Sequence, residues 1–457
     1  MKGWLALLFL LAGPVWADAG DRMAKMGLSY PAPPPLLAAP SGFAETDGAV
    51  LELVDLRFLL ARLAAQTGAK DHALLIAAQP QGASKALLLR GGYVTLSGLA
   101  ALAANSPVAP FVQMGPNGLT LTRPLAIWAD AGLHLGAGDE LRLDRASGSF
   151  LVTFGWLDMA GASLGGTPTI NPRAAEFRPF VLGTGDGQIT VQDSRLAALG
   201  FGASGLFGGV TIAPTGLATH APPVLIRASR FADVGRLALI RTTGSRLADS
   251  QLSGTNVLLS ATRGASITGN QFGGSRDRTS LRIGSGFADV TIAGNSFAAP
   301  GATAITVEDG TDLRIIANRI EGQGRNGITL NRLSCALVQG NLIAGNGANG
   351  IVLRDSAEVT VAGNALLGNS NAGLYLRDQA AAAQSLVAGN VIAGNGVGMR
   401  GASTGAVALS DNRMQGQAPR LFSGDLAGQT VIWLTSKPPT LPPEPSAIPP
   451  CLMRGAG

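Results

Sequence analysis

An asparagine returns along the second half of this chain at Asn270, Asn295, Asn318, Asn341, Asn364, Asn390 and Asn412, in steps of 25, 23, 23, 23, 26 and 22 residues. Self-similarity at a period of this size marks a chain built from stacked copies of one small unit. Apolar residues stand three and five positions before most of these asparagines, as in Val290 and Ile292, Leu313 and Ile315, or Val359 and Val361. Another follows two positions after, from Phe272 to Met414. Apolar residues two apart indicate a strand with one buried face. A second short strand follows in each period: NGITL at 326–330, NGIVL at 349–353 and AGLYL at 372–376.

Strands this short cannot bury an apolar face alone, so each coil must stack on the next through backbone hydrogen bonds. The expected fold is all-β, a parallel β-helix of roughly 23-residue coils with a short N-terminal helical segment. The seven asparagines are expected to form a structural ladder, since a short amide tolerates left-handed turns and identical amides can bond from rung to rung. With 63 glycines and 14% charged residues, the composition suits many turns between short strands and not a helical bundle.

Residues 1–17 read as a secretory signal peptide, with Lys2, an apolar run, and Val15 and Ala17 at cleavage spacing. That predicts a periplasmic or secreted protein, and no later run is apolar and long enough to span a membrane. Residues 18–48 read as a Pro-rich linker, 49–84 as a helical cap region with one helix over 52–66, 85–435 as the β-helix, and 436–457 as a disordered Pro-rich tail. Cys335 occupies the register of Asp289, Asp312 and Glu358 and is expected to face outward; a bond to Cys451 would protect it in an oxidising compartment. No metal-ligand or cofactor pattern is present, and no nucleic-acid partner is expected.

The net charge of +5 rests on arginine, with no lysine between Lys85 and Lys437. Arginine's planar fork suits carboxylate, phosphate or sulfate, so an acidic polymer is a candidate partner; codon bias toward arginine is the plainer explanation.

The stretches RPLAIWADAGLHLGAGDELRLDRASGSFLVTFGWLDMAG at 123–161 and EFRPFVLGTGDGQITVQDSRLAALGFGAS at 176–204 resemble the periplasmic mannuronan C5-epimerases of alginate biosynthesis. The likeness continues in register through NGITL and NGIVLRDS, over about residues 85–415. It implies a right-handed parallel β-helix with a long groove over one sheet, and removal of a uronate C5 proton followed by its return to the other face. That chemistry needs a carboxylate-neutralising cation, a base and an acid. The family carries it on an Asp-Pro-His-Asp turn, whose positions here hold Leu258, Leu259, Ser260 and Ala261, and no histidine follows His220.

Strand alternation places Ile351 and Leu353 inward and Val352 and Arg354 outward. The same register lines a groove with Arg282, Thr306, Glu308, Thr329, Asn331, Tyr375 and Arg377, and places Asp309, Arg332, Asp355 and Asp378 at the strand ends. Arg282, Glu308, Asn331, Arg354, Tyr375 and Arg377 are the candidate substrate-binding residues, with Tyr375 the one candidate for proton transfer. The alternative is a set of solvated pairs, Arg354 with Asp355 and Arg377 with Asp378, that keep a flat sheet soluble. His220 is expected in a surface loop, and His72 and His134 away from the groove. Three readings follow: a binder of acidic polysaccharide without the family's activity, an epimerase or lyase with a different site, and a structural component of a polysaccharide export complex.

Overall fold

The computed structural model describes residues 21–28, 45–68, 72–82, 84–104, 106–116, 118–201, 205–214, 223–274, 278–298, 301–435 and 451. The chain winds into a parallel β-helix with three faces. Strands of the first face run from Lys85–Arg90 through Arg236–Ile240 and Ile351–Arg354 to Arg420–Gly424. The second face runs from Tyr93–Thr95 to Ala406–Ser410, and the third from Gly118–Leu121 to Arg413–Gln415. Two long strands, Ile305–Ile316 and Ile328–Gln339, bend around the corner and join the first two faces into one 26-stranded sheet, beside a 14-stranded third face. Apart from antiparallel pairs at the N-terminal end, Val50–Asp55 with Lys85–Arg90 and Val112–Gly115 with Gly118–Leu121, successive coils pair in parallel.

The interior is a continuous column of aliphatic and aromatic side chains. Leu87, Leu125, Leu151 and Val181 open one line of it, and Ile305, Ile328, Ile351 and Leu374 continue that line, all fully buried. The glycine of each NGI segment is fixed by rung-to-rung approach: a Cβ on Gly350 would sit 2.6 Å from the carbonyl oxygen of Gly373.

The seven asparagines are buried and in register. Asn341 shows the pattern. Its backbone N–H and its amide both donate to Oδ1 of Asn364 at 2.9 Å, and the amide also donates to the carbonyl of Ile315. Its own Oδ1 accepts from Asn318. The asparagines themselves do not take the left-handed conformation expected of them. The residue before each one does, from Gly294 (φ 63°) and Gly340 (φ 62°) to Ala317 (φ 54°) and Asp411 (φ 51°), so the amide is free to point inward. Ser194, Ser229 and Ser250 fill the same role in earlier coils, and Asn346, Asn369 and Asn395 form a second ladder five residues further on.

Elements outside the solenoid differ from the sequence reading at the helix over 52–66, in residues 21–28 read as linker and at Cys451 in the tail read as disordered, while the offered Cys335–Cys451 bond is present. The helix expected over 52–66 begins at Leu56, capped by the Asp55 side chain, because residues 50–55 pair as a strand with Lys85–Arg90. Residues 21–28, read as linker, dock on the third face: Met23 is buried against Leu342 and Ala365, and Arg22 pairs with Glu321. Cys335 sits at an outward, left-handed position (φ 68°) but is 3% exposed, because Cys451 is disulfide-bonded to it and covers it together with Leu337. No helix among the described residues is long and apolar enough to cross a membrane.

Asn341→Ala should lower stability by roughly 3 kcal/mol, since it leaves buried groups on two neighbouring coils without partners; a urea titration measures this. Ile351→Asp should prevent folding, whereas Thr329→Asp, on the outward side of the neighbouring strand, should leave circular dichroism unchanged. A soluble, native-like Ile351→Asp protein would mean the inward and outward sets are exchanged.

Candidate functional site: the open half of the first face

One outward position can be followed along the whole first face. In the early coils it is Leu88, Ala126, Val152 and Leu182. These are buried in a second apolar cluster outside the solenoid, beneath Leu56, Leu59, Leu60 and Leu63 of the helix Leu56–Thr67 and a group of phenylalanines. Phe180 contributes most visibly, with Phe150 and Phe207 each at 4.7 Å between ring centroids. From Leu258 onward the same column reads Leu258, Arg282, Thr306, Thr329, Val352, Tyr375 and Arg400. Here it is open, although Val352 is only 7% exposed and contributes little to the surface. The column beside it holds Glu308, Asn331, Arg354 and Arg377, and the left-handed corner beyond holds Asp309, Arg332, Asp355 and Asp378.

The sequence-predicted groove residues therefore lie on consecutive rungs of one surface. Their charges are mostly spent on one another. Arg282 donates to Glu308 at 2.8 Å, and Arg332 forms a two-pronged pair with Asp309. Arg354 pairs with Asp378 of the next coil at 2.9 Å, and Arg377 meets the same carboxylate at 3.0 Å, in place of the expected pair between Arg354 and Asp355. Arg354 reaches across because side chains on adjacent coils lie side by side, while Arg377 keeps the expected pair with its sequence neighbour Asp378. The hydrogen bond from Arg332 holds the Asp309 carboxyl below its ordinary range. At Asp378 desolvation works in the opposite direction, but hydrogen bonds and charge from Arg377 and Arg354 outweigh it and lower its pKa.

Tyr375 lies between two guanidinium groups, with Arg400 5.0 Å and Arg377 5.8 Å from its ring centroid. Arg400 was missed in the sequence because the coil after Tyr375 is longer than its neighbours; the alternation of Met399 inward and Arg400 outward was the available signal. Arg236 and Arg278 were also missed. Arg236 opens the strand Arg236–Ile240 and Arg278 lies in the bend before the Arg282 strand; burial together with the charges of Arg278 and Arg282 lowers the Arg236 pKa.

Of the four positions matched to the epimerase motif, Leu258 and Ser260 face outward, Leu259 is in the core, and Ala261 takes the left-handed corner (φ 52°). His134 is on the second face with Nδ1 2.6 Å from Asp158, and His72 begins the short helix His72–Ala77. His220 lies outside the described residues. A recess of about 330 Å³ opens on the third face between Arg142 and Arg195, away from the groove.

The profile of the family described as "Periplasmic copper-binding protein (NosD)" matches residues 239–424. That segment contains no histidine, and its single cysteine, Cys335, is in a disulfide, so the imidazole and thiolate ligands that suit copper are absent from it. The mannuronan C5-epimerase of Pseudomonas aeruginosa is 29% identical over 131 residues, which cover 27% of this chain and 24% of the epimerase. The chain thus spans about a quarter of the length of that curated relative. Among solved structures, the periplasmic alginate epimerase AlgG superposes with a TM-score of 0.69 at 19% identity, over 81% of this chain and 95% of the other. A mutant of the same epimerase gives 0.68, also at 19% identity, over 83% and 99%. In fold, over four fifths of its length, the chain resembles the periplasmic mannuronan C5-epimerases of alginate biosynthesis.

Proposed function

We propose that this protein binds an acidic polysaccharide along the open half of the first face, in the periplasm or outside the cell, without the family's epimerisation. One observation carries the reading. The helix Leu56–Thr67 and its phenylalanine cluster cover only the start of the first face, so that among the described residues the same outward column lies open from Leu258 to Arg400 as a ladder of arginine, threonine and tyrosine. Rungs repeat at ~4.8 Å, so a linear polymer laid along the axis meets a polar group on almost every coil. The likeness to enzymes named for alginate supports a uronate-bearing ligand.

Epimerisation needs a group that removes the C5 proton, and the aligned positions offer two leucines, a serine and an alanine, with Leu259 turned into the core. Purified mature protein should exchange no C5 proton of polymannuronate in heavy water above the rate without protein, as read by NMR. Conversion to guluronate would overturn this and favour a second reading, in which Tyr375, flanked by Arg377 and Arg400, moves the proton. Tyr375→Phe would then abolish the exchange.

Arg354→Ala combined with Arg377→Ala would leave Asp378 without both of its cations and make this part of the groove repel an anionic polymer. Affinity for an acidic glycan should fall at low salt while melting temperature stays nearly constant, since exposed pairs contribute little to stability. Equal affinity of wild type and variant for acidic and neutral glycans alike would remove the groove reading and leave the β-helix as a docking component of an export complex.

A further inference from the structure

We infer, resting on the reading of this face as a polysaccharide groove, that its ligand carries anionic groups at intervals of several sugar rings, and that Arg236, Arg278 and Arg282 form the subsite that holds one of them.

The inference comes from where charge is left over. Between Arg282 and Arg377 the groove contains four arginines (Arg282, Arg332, Arg354, Arg377) and four carboxylates (Glu308, Asp309, Asp355, Asp378), which cancel. A polymer charged on every ring would meet as many carboxylates as guanidinium groups along these rungs, so its attraction and repulsion would largely offset each other. Uncharged sugars have no such penalty, and the threonine, asparagine and tyrosine groups along the column suit their hydroxyls.

At the mouth of the groove the balance differs. Arg236 pairs across to Asn256, and Leu258 of that strand pairs across to Arg282, so the arginines stand on the coils to either side of the Leu258 rung. Arg278 precedes the Arg282 strand, close enough for its charge to act on Arg236. Among the described residues neither Arg236 nor Arg278 forms an ion pair, and Arg282 has only Glu308. Arg236 and Arg282 on the coils flanking the half-buried Leu258, with Arg278 just before the Arg282 strand and Glu308 the one carboxylate paired with them, suit a carboxylate, sulfate or phosphate substituent held bidentately. Arg400, a further cation without an ion pair among the described residues, lies five rungs further along, at about 24 Å given ~4.8 Å per rung.

Titration calorimetry at two salt concentrations tests this with three size-matched probes: deacylated gellan, which bears one glucuronate per repeat unit, polymannuronate, and a neutral β-glucan. Gellan should bind more tightly than polymannuronate. Arg236→Ala with Arg278→Ala should weaken gellan binding about tenfold, flatten its salt dependence and leave folding intact. Polymannuronate binding as tightly as gellan, or an unchanged double variant, would overturn the sparse-charge inference while leaving the groove reading standing. Binding of none of the probes, or equal binding of all three, would overturn both.

Discussion

The amide ladder inside the turns is the interaction on which the rest of the structure depends. A turn between two short strands leaves backbone groups with no partner in their own coil, and burying them unpaired costs about 1–3 kcal/mol each. Each asparagine removes that cost for its neighbours, because its oxygen accepts from the preceding coil while its amide donates to that coil's strand and to the next asparagine. The geometry also fixes height. When every turn is bonded to the turns above and below it, the strands between them keep register, and an outward side chain in one coil stands directly beside its counterpart in the next. The serines of the earlier coils bond through a single hydroxyl, a simpler form of the same device.

Register of this kind turns a surface into an ordered column, but coverage decides which column can act. In the first coils the outward position of the first face is apolar and buried beneath the helix Leu56–Thr67 and the phenylalanine cluster. Beyond Leu258 the same position turns polar and nothing described in the structure covers it. Between the two stretches the column passes through Thr211 and Ala238, both still buried, so exposure begins only at Leu258. Within the open stretch, pairing between coils holds the charges in place. Arg354 reaches Asp378 and Arg332 reaches Asp309, so the corner beside the groove is a lattice of opposed charges with little net field. The free cations gather at its two ends.

The sequence by itself determined the repeat, at least two short strands in each coil and the split between core and surface. These follow from a local rule: alternate side chains on a strand point opposite ways, and a repeated turn residue pins where each strand begins. Ile351 and Arg354 could be assigned to opposite sides on that rule alone. The columns from Arg282 to Arg377 were legible for the same reason, since steps of 23 residues carry one coil onto the next. Arg400 was lost where the step lengthens, and Arg236 and Arg278 because they stand just outside the repeated strand.

Only the tertiary structure decided what meets what across coils. Asp378 lies 24 residues from Arg354 yet takes its guanidinium in preference to the adjacent Asp355, because the stacking distance is shorter than the detour around a strand. Met23 covers Leu342 through a return of the chain that no local pattern encodes, and the bond to Cys451, which the cysteine pair suggested, buries the outward Cys335. The placement of these covers on other faces is what leaves the open half of the first face available, and periodicity carries no record of it because every coil has the same three sides.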